Sequence, residues 1–174
     1  MGKLIRKTIG QKEDEQVEFT TEVFNQFEKK WALVTAGTEE NFNTMTISWG
    51  GLGTIWNRPA ATVYVRESRY THEFMENNDY FTISFYPDKY KKILGILGSK
   101  SGRDMDKMTA SGLTAMKAGE SMSFQEAEVT IVCKKMYKQR LIADNIPEDA
   151  LKTFYPAGDI HDMYIGEVVD VIQG

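Results

Sequence analysis

The stretch from Asn41 to Pro59, NFNTMTISWGGLGTIWNRP, sets the tightest limit on how this chain folds. Its first half alternates. Thr44, Thr46 and Ser48 fall on one side of an extended backbone and Met45, Ile47 and Trp49 on the other, the period of a strand rather than a helix. Its second half, Gly50-Gly51-Leu52-Gly53, reads together with Pro59 as a loop leading to the next strand. A row of small hydroxyls beside extended backbone can face water, as strand threonines commonly do, or receive a flat polar ligand. Alternation alone favours water.

The rest of the chain repeats short β runs between short helices. Val23, Phe24, Phe27 and Trp31 recur at helical spacing and predict a helix over residues 21–30, capped by Thr20 or Thr21. Strands are expected at 31–36 (WALVTA), 61–66 (ATVYVR), 80–86 (YFTISFY), 126–137 and 163–172. Thr71 is the expected cap of a helix that stops at Asn77-Asn78-Asp79. After Pro87, Asp88 is the expected cap of another helix, with Tyr90, Ile93, Leu94 and Leu97 as its apolar face and Gly98 as its stop. Residues 99–108 read as a polar loop opening a short helix and 110–124 as irregular. A last helix is expected at 147–154, with Pro147 in its first turn. Six strands, three or four short helices and no regular βαβ alternation point to a β-barrel or antiparallel α+β domain. Residues 1–20, with a charge cluster at 12–15, read as an N-terminal arm ahead of a single domain, 21–174.

Composition narrows the function classes. With 174 residues the chain can bury a core without staples. A net charge of −4 and a pI near 5.3 argue against a general nucleic-acid binder. No apolar run approaches the roughly 20 residues that span a bilayer. MGKLIRKTIGQ lacks the apolar region of a signal peptide, and Arg6 stands where myristoylation wants Ser or Thr. One cysteine, Cys133, suits a reducing cytoplasm. A cytoplasmic protein is therefore expected.

Two turns carry the charge that could hold an anion. Arg66, Arg69, Tyr70 and Thr71 lie where a strand passes into a helix, whose free N–H groups and dipole favour an anion; the alternative is a solvated turn with Arg69 paired to Glu67 or Glu73. Ser101, Gly102 and Arg103, with Lys107 beyond, repeat that logic, unless Asp104 and Asp106 simply neutralise them. His72 and His161 have no His or Cys at metal-ligand spacing, so no metal is expected. His161 is either an exposed loop histidine or, if the last strand lies beside a site, a proton donor or cofactor contact. Gly51-Leu52-Gly53 and Gly95–Ser101 only approach nucleotide-binding patterns and are set aside.

Taken together, WALVTAG, NxMTxSWGGLGxxWxxP, VYVRxxRYT, DYFTxSFY, GSKSGRDxDK and YIGEV resemble the flavin reductase-like family of FMN-binding split β-barrels, which includes the flavoredoxins, over residues 23–171. The resemblance implies a homodimer with FMN near the subunit interface. It implies that Asn43, Thr44, Met45, Thr46, Ile47 and Ser48 lie against the flavin ring, with Trp49 or Trp56 as a wall. Arg66, Arg69, Tyr70 and Thr71 then form the phosphate and ribityl cradle, and Ser101, Gly102, Arg103 and Lys107 a second loop that reaches the cofactor. Relatives carry Asp-Tyr-His before YIGE where this chain has Asp159-Ile160-His161, so the histidine is kept and the tyrosine lost. The implied activity passes electrons from NADH or NADPH through FMN to a small-molecule or protein acceptor. The alternatives are a non-catalytic electron carrier or flavin-binding protein, and a split barrel that has changed its ligand to heme or pyridoxal phosphate.

Overall fold

The computed structural model describes residues 2–5 and 18–174. Gly2–Ile5 (β1) and Glu18–Thr21 (β2) pair as an antiparallel ribbon, while the expected charge cluster at 12–15 lies outside the described residues. The body is one antiparallel sheet of seven strands: Ala32–Gly37 (β3), Phe42–Ile47 (β4), Gly50–Ile55 (β5), Arg58–Arg66 (β6), Tyr80–Phe85 (β7), and, further along the chain, Val129–Arg140 (β10) and His161–Gln173 (β11). Their order is β4-β3-β7-β10-β11-β6-β5. A hairpin of Ala115–Ala118 (β8) and Ser121–Phe124 (β9) packs on it.

The order of the strands dictates the shape. The two edge strands, β4 and β5, are consecutive in the chain and joined only by Ser48 and Trp49. Six strand gaps laid flat would part them by about 29 Å. The link from Ile47 to Gly50 reaches at most about 11 Å. The sheet must therefore roll until its edges meet, and it becomes a barrel with a seam between β4 and β5. Gly50 lies under Phe27 at that seam, where a Cβ would come within 2.5 Å of the ring.

Two apolar cores result. The barrel interior holds Val34, Met45, Ile47, Val63, Phe81, Ile83, Phe85, Ile131, Cys133 and Tyr164. On the outer face of β3, Leu33 packs with Leu94 and Leu97 of the helix Lys91–Ser99 (α3), and with Tyr86, Leu113 and Phe124. The β8–β9 hairpin is tied to the sheet by buried hydroxyls: Ser123 Oγ lies 2.8 Å from Ser84 Oγ and 2.7 Å from Thr130 Oγ1.

Several expectations need correction. Gly50–Ile55 is a strand, not a loop; pairing with β6 imposes it, and Trp56 and Asn57 make the hairpin turn with φ of 49° and 57°. Residues 110–124, expected to be irregular, contain the β8–β9 hairpin, turned at Gly119 with φ of +61°. The first helix, Val23–Asn25 (α1), has Glu22 at its N-cap position without a side-chain capping bond and widens into a π-helix over Gln26–Lys30. That widening breaks the 3.6 period, so Phe27 is buried while Phe24 stands 89% exposed.

The remaining helices are Tyr70–Asn77 (α2), Lys91–Ser99 (α3), Lys107–Ser111 (α4) and Glu148–Phe154 (α5). Arg69, not Thr71, is the N-cap residue of α2, and Pro147, not a first-turn proline, that of α5. Asp88 opens a 3₁₀ turn, Asp88–Tyr90, that leads into α3. Among the described residues no helix is long and apolar enough to cross a membrane.

Candidate functional site

The seam opens a cleft of about 200 Å³ lined by Met45, Thr46, Ile47, Ser48, Trp49, Tyr64, Arg66, Phe154 and His161. The hydroxyl row of β4 does not line it in the way alternation suggests. Thr44 is fully buried, its Oγ1 lying 2.9 Å from Thr35 Oγ1 and donating to Val34 O at 3.2 Å. Thr46 Oγ1 donates to Leu94 O of α3. The row is thus largely spent within the protein: Thr44 is buried, and Thr46, although it lines the cleft, gives its hydroxyl to α3. Ser48, beyond that cover, is the exposed hydroxyl of the row.

Beside the cleft, four segments converge. Asn43 of β4 donates from Nδ2 to Thr71 Oγ1 of α2 at 2.8 Å. Gly102 sits against both elements: a Cβ there would lie 2.3 Å from Asn43 Oδ1 and 3.0 Å from Tyr70 Cδ1. Arg69 reaches across to Gly98 O at the end of α3. Lys107 opens α4 and is buried, its Nζ donating to Thr44 O at 2.8 Å and Leu97 O at 2.9 Å. Burial, and then the charge of Arg69, push its pKa down to about 8. Burial likewise lowers the pKa of Arg69, with Arg66 adding to the effect. Neither Arg69 nor Lys107 is paired with a carboxylate among the described residues. Two desolvated cations side by side with only carbonyl acceptors form a site short of an anion.

Other expected members are differently engaged. Arg66 donates to Phe154 O at 2.8 Å and Asp159 O at 3.1 Å, and so braces the segment after α5. Arg103 donates to Ser68 O, is paired with Glu73 and lies 4.7 Å from the Tyr70 ring centroid. Its charge is already balanced. Ser101 Oγ accepts from the Arg103 backbone N–H and shapes the turn. Trp56 stands apart, 61% exposed at the hairpin tip; Trp49 is the tryptophan that walls the cleft.

His161 opens β11 directly opposite Arg66 and is not a free loop histidine. Its ring lies 5.1 Å from that of Trp49, and Nδ1 is 2.8 Å from the Tyr155 hydroxyl. Burial, then the Arg66 charge, push its pKa down to about 4 against the pull of Asp159 and Asp162. At neutral pH the imidazole is uncharged.

Sequence reasoning passed over Tyr64, Phe154 and Tyr155; an aromatic pair six residues before His161 was the available signal. It also gave no hint that His72, Glu76 and Asp162 gather within 4.8 Å. Asp162 is buried, and its carboxylate accepts from Arg140 Nε at 2.9 Å and pairs with Lys138 at 3.1 Å. Burial would raise its pKa, but hydrogen bonds from Arg140, His72 and Lys138 prevail and hold it well below the usual range. Lysine and arginine fill this cluster's need for cations, so it locks α2 to β10 and β11.

Known proteins place the architecture. In fold the chain is similar to an FMN-binding protein from Thermus thermophilus crystallised with 1-cyclohex-2-enone (24% identity, TM-score 0.65, covering 82% of this chain and 69% of that one). It is similar also to flavoredoxin from Methanosarcina acetivorans (18%, TM-score 0.68, 92% and 76%) and to flavoredoxin of Desulfovibrio vulgaris (20%, TM-score 0.65, 97% and 76%). No curated protein matches by sequence. The rolled antiparallel sheet with its seam is the split barrel of these proteins, and residues 24–174 match the flavin reductase like domain, so the chain belongs to the flavin reductase-like family.

Proposed function

We propose that this protein binds FMN at the seam cleft and works as an oxidoreductase of the flavin reductase or flavoredoxin kind. The observation that carries the reading is the cationic couple Arg69 and Lys107, without a carboxylate among the described residues and set beside a cleft walled by Trp49. A terminal phosphate supplies the missing anion, and the close approach at Gly102 leaves backbone near that position. FMN, when bound, supplies the electron chemistry, taking electrons from NADH or NADPH and passing them to a small-molecule or protein acceptor. The chain's own part is to hold and orient: Arg69, Lys107, Tyr70, Thr71 and the 101–103 turn at the phosphate end, the Asn43–Ser48 edge along the ring, Trp49 against it and Arg66 and His161 at the far wall. No side chain is needed as a nucleophile. The family resemblance supports a homodimer, in which the exposed Trp56 can meet a second copy.

Visible absorption of the purified protein after incubation with FMN tests the reading, followed by anaerobic mixing with NADH or NADPH. Two protein-bound flavin bands that bleach support a reductase. Bound flavin that no nicotinamide bleaches points instead to an electron carrier. A preparation that cannot be loaded with FMN refutes both. Arg69→Ala is expected to weaken FMN binding by about 1.5–3 kcal/mol, the usual worth of a hydrogen bond to a charged group; unchanged affinity, by titration of flavin fluorescence, removes Arg69 from the cradle.

A further inference from the structure

Next to the cleft stands a side chain with no part in the flavin reading, Tyr155. We propose, resting on that reading, that Tyr155 is a positioning residue: its phenol fixes His161 as the Nε2–H tautomer, so that the cleft offers an N–H donor to a carbonyl or other hydrogen-bond acceptor of the molecule bound there.

Tyr155 is held on every side. It follows the last residue of α5, is buried, and its backbone carbonyl accepts from Gly158 N at 3.0 Å. The Arg66 guanidinium lies 5.1 Å from its ring centroid and also donates to the carbonyls on either flank, of Phe154 and Asp159. The Asp159 carboxylate accepts from Ser68 Oγ at 2.6 Å, which ties the same segment to the turn before α2. His161 is equally fixed, in register with Arg66 and with its ring 5.1 Å from Trp49 and 5.6 Å from Tyr155, edge-on at 79°. The 2.8 Å contact between the phenol and Nδ1 therefore cannot drift.

The protons follow from counting. A neutral imidazole carries one N–H. Placed on Nδ1, it would donate to the phenol oxygen. The phenol hydrogen would then have no acceptor among the described residues, and Nε2 would turn a bare lone pair on the cleft. Placed on Nε2, it lets the phenol donate to Nδ1, and each buried hydrogen of the pair has a use. Burial keeps the phenol protonated and the imidazole neutral, so the arrangement holds across the neutral range.

Long-range proton–nitrogen correlation NMR on the 15N-labelled protein at neutral pH reads the tautomer directly. The chain has two histidines, and loss of one signal in His161→Gln assigns the other to His72. His161 is expected to show the neutral Nε2–H pattern. Tyr155→Phe keeps the ring and removes only the hydroxyl; it should move His161 to a mixed or Nδ1–H pattern and slow flavin reduction about tenfold, the effect of one lost hydrogen bond, with the melting temperature lowered by only a few degrees. In His161→Gln, whose amide nitrogen donates without help from a phenol, Tyr155→Phe should change nothing further. An Nδ1–H or charged His161 in the wild type, or an unmoved tautomer in Tyr155→Phe, overturns the proposal. Should Tyr155→Phe fail to fold, the wild-type spectrum decides alone. The spectra need no flavin. A protein with the expected tautomer that never binds FMN therefore overturns the flavin reading and leaves the role of Tyr155 standing.

Discussion

Lys107 should make this protein more stable as the pH rises above 8. Lys107 is 5% exposed, and its ammonium meets two carbonyls and no carboxylate among the described residues. Desolvation, with Arg69 second, lowers its pKa from 10.5 to about 8 in the folded chain. The sign follows from proton counts. Between pH 8 and 10.5 the unfolded chain holds a proton that the folded chain has released, so stability climbs with pH across that window. Going from about pH 7.5 to 9.5 recovers about 2 kcal/mol of a full cost of about 3 kcal/mol. Tyr86 and Tyr164 above pH 10, and Cys133 within the window, are raised by burial and act in the opposite direction, which comparison with a Lys107 variant cancels. Urea unfolding followed by tryptophan fluorescence at the two pH values, in wild type and in Lys107→Met, isolates the effect. The variant loses the two hydrogen bonds at both pH values, so that loss cancels in the comparison. Identical pH shifts in the two proteins would show that Lys107 is not desolvated as placed, and the anion-deficient cradle would lose half its basis.

Other substitutions probe the close contacts. Gly102→Ala pushes a Cβ into buried Asn43, which cannot swing away without breaking its bond to Thr71; a loss of about 1–3 kcal/mol is expected in urea unfolding. An unchanged midpoint would mean the 99–106 segment floats free of β4. Gly166→Ala places a Cβ 2.8 Å from both Cys133 Cβ and the Phe81 ring, and overpacking there should cost about 1–3 kcal/mol in thermal melts. Cys133 is fully buried and burial raises its thiol pKa, so a thiol reagent should label it only at the rate of global unfolding; a fast labelling phase would contradict that burial.

Legibility tracked how local each cause is. The strands at Arg58–Arg66 and Tyr80–Phe85 were visible because β-branched and aromatic residues mark them by themselves. Gly50–Ile55 was not, since glycine carries no strand preference and the strand exists through its pairing with β6. Ser121–Phe124 was missed although Ser-Met-Ser-Phe alternates, because four residues are the shortest run in which a strand period can be read. The basic turns were legible as types of residue, but not which charges stay unpaired. Arg103 finds Glu73, thirty positions away, while Arg69 and Lys107 find no carboxylate among the described residues. His161 was legible as a candidate and not as a neutral one, because its state depends on Arg66 and on desolvation by Trp49 and Tyr155.

The hydroxyl row shows how a correct strand can still be misread. The hydroxyl face of β4 looked available to a ligand, but the fold spends most of it and turns the apolar face inward. Met45 and Ile47 enter the barrel, Thr44 is buried against Thr35, and α3 takes the hydroxyl of Thr46. What stays open is the strand's edge, since β4 pairs with β3 alone among the described residues. Edge N–H and C=O groups left exposed invite a partner. Here a barrel seam, rather than a flat sheet margin, puts them in a cleft with an aromatic wall. A planar ligand with its own donors and acceptors along one rim can satisfy such an edge, whereas a rounded apolar one cannot. The hydroxyl row thus serves the site indirectly. By tying α3 down, Thr46 fixes the helix against whose end Arg69 and Lys107 are set.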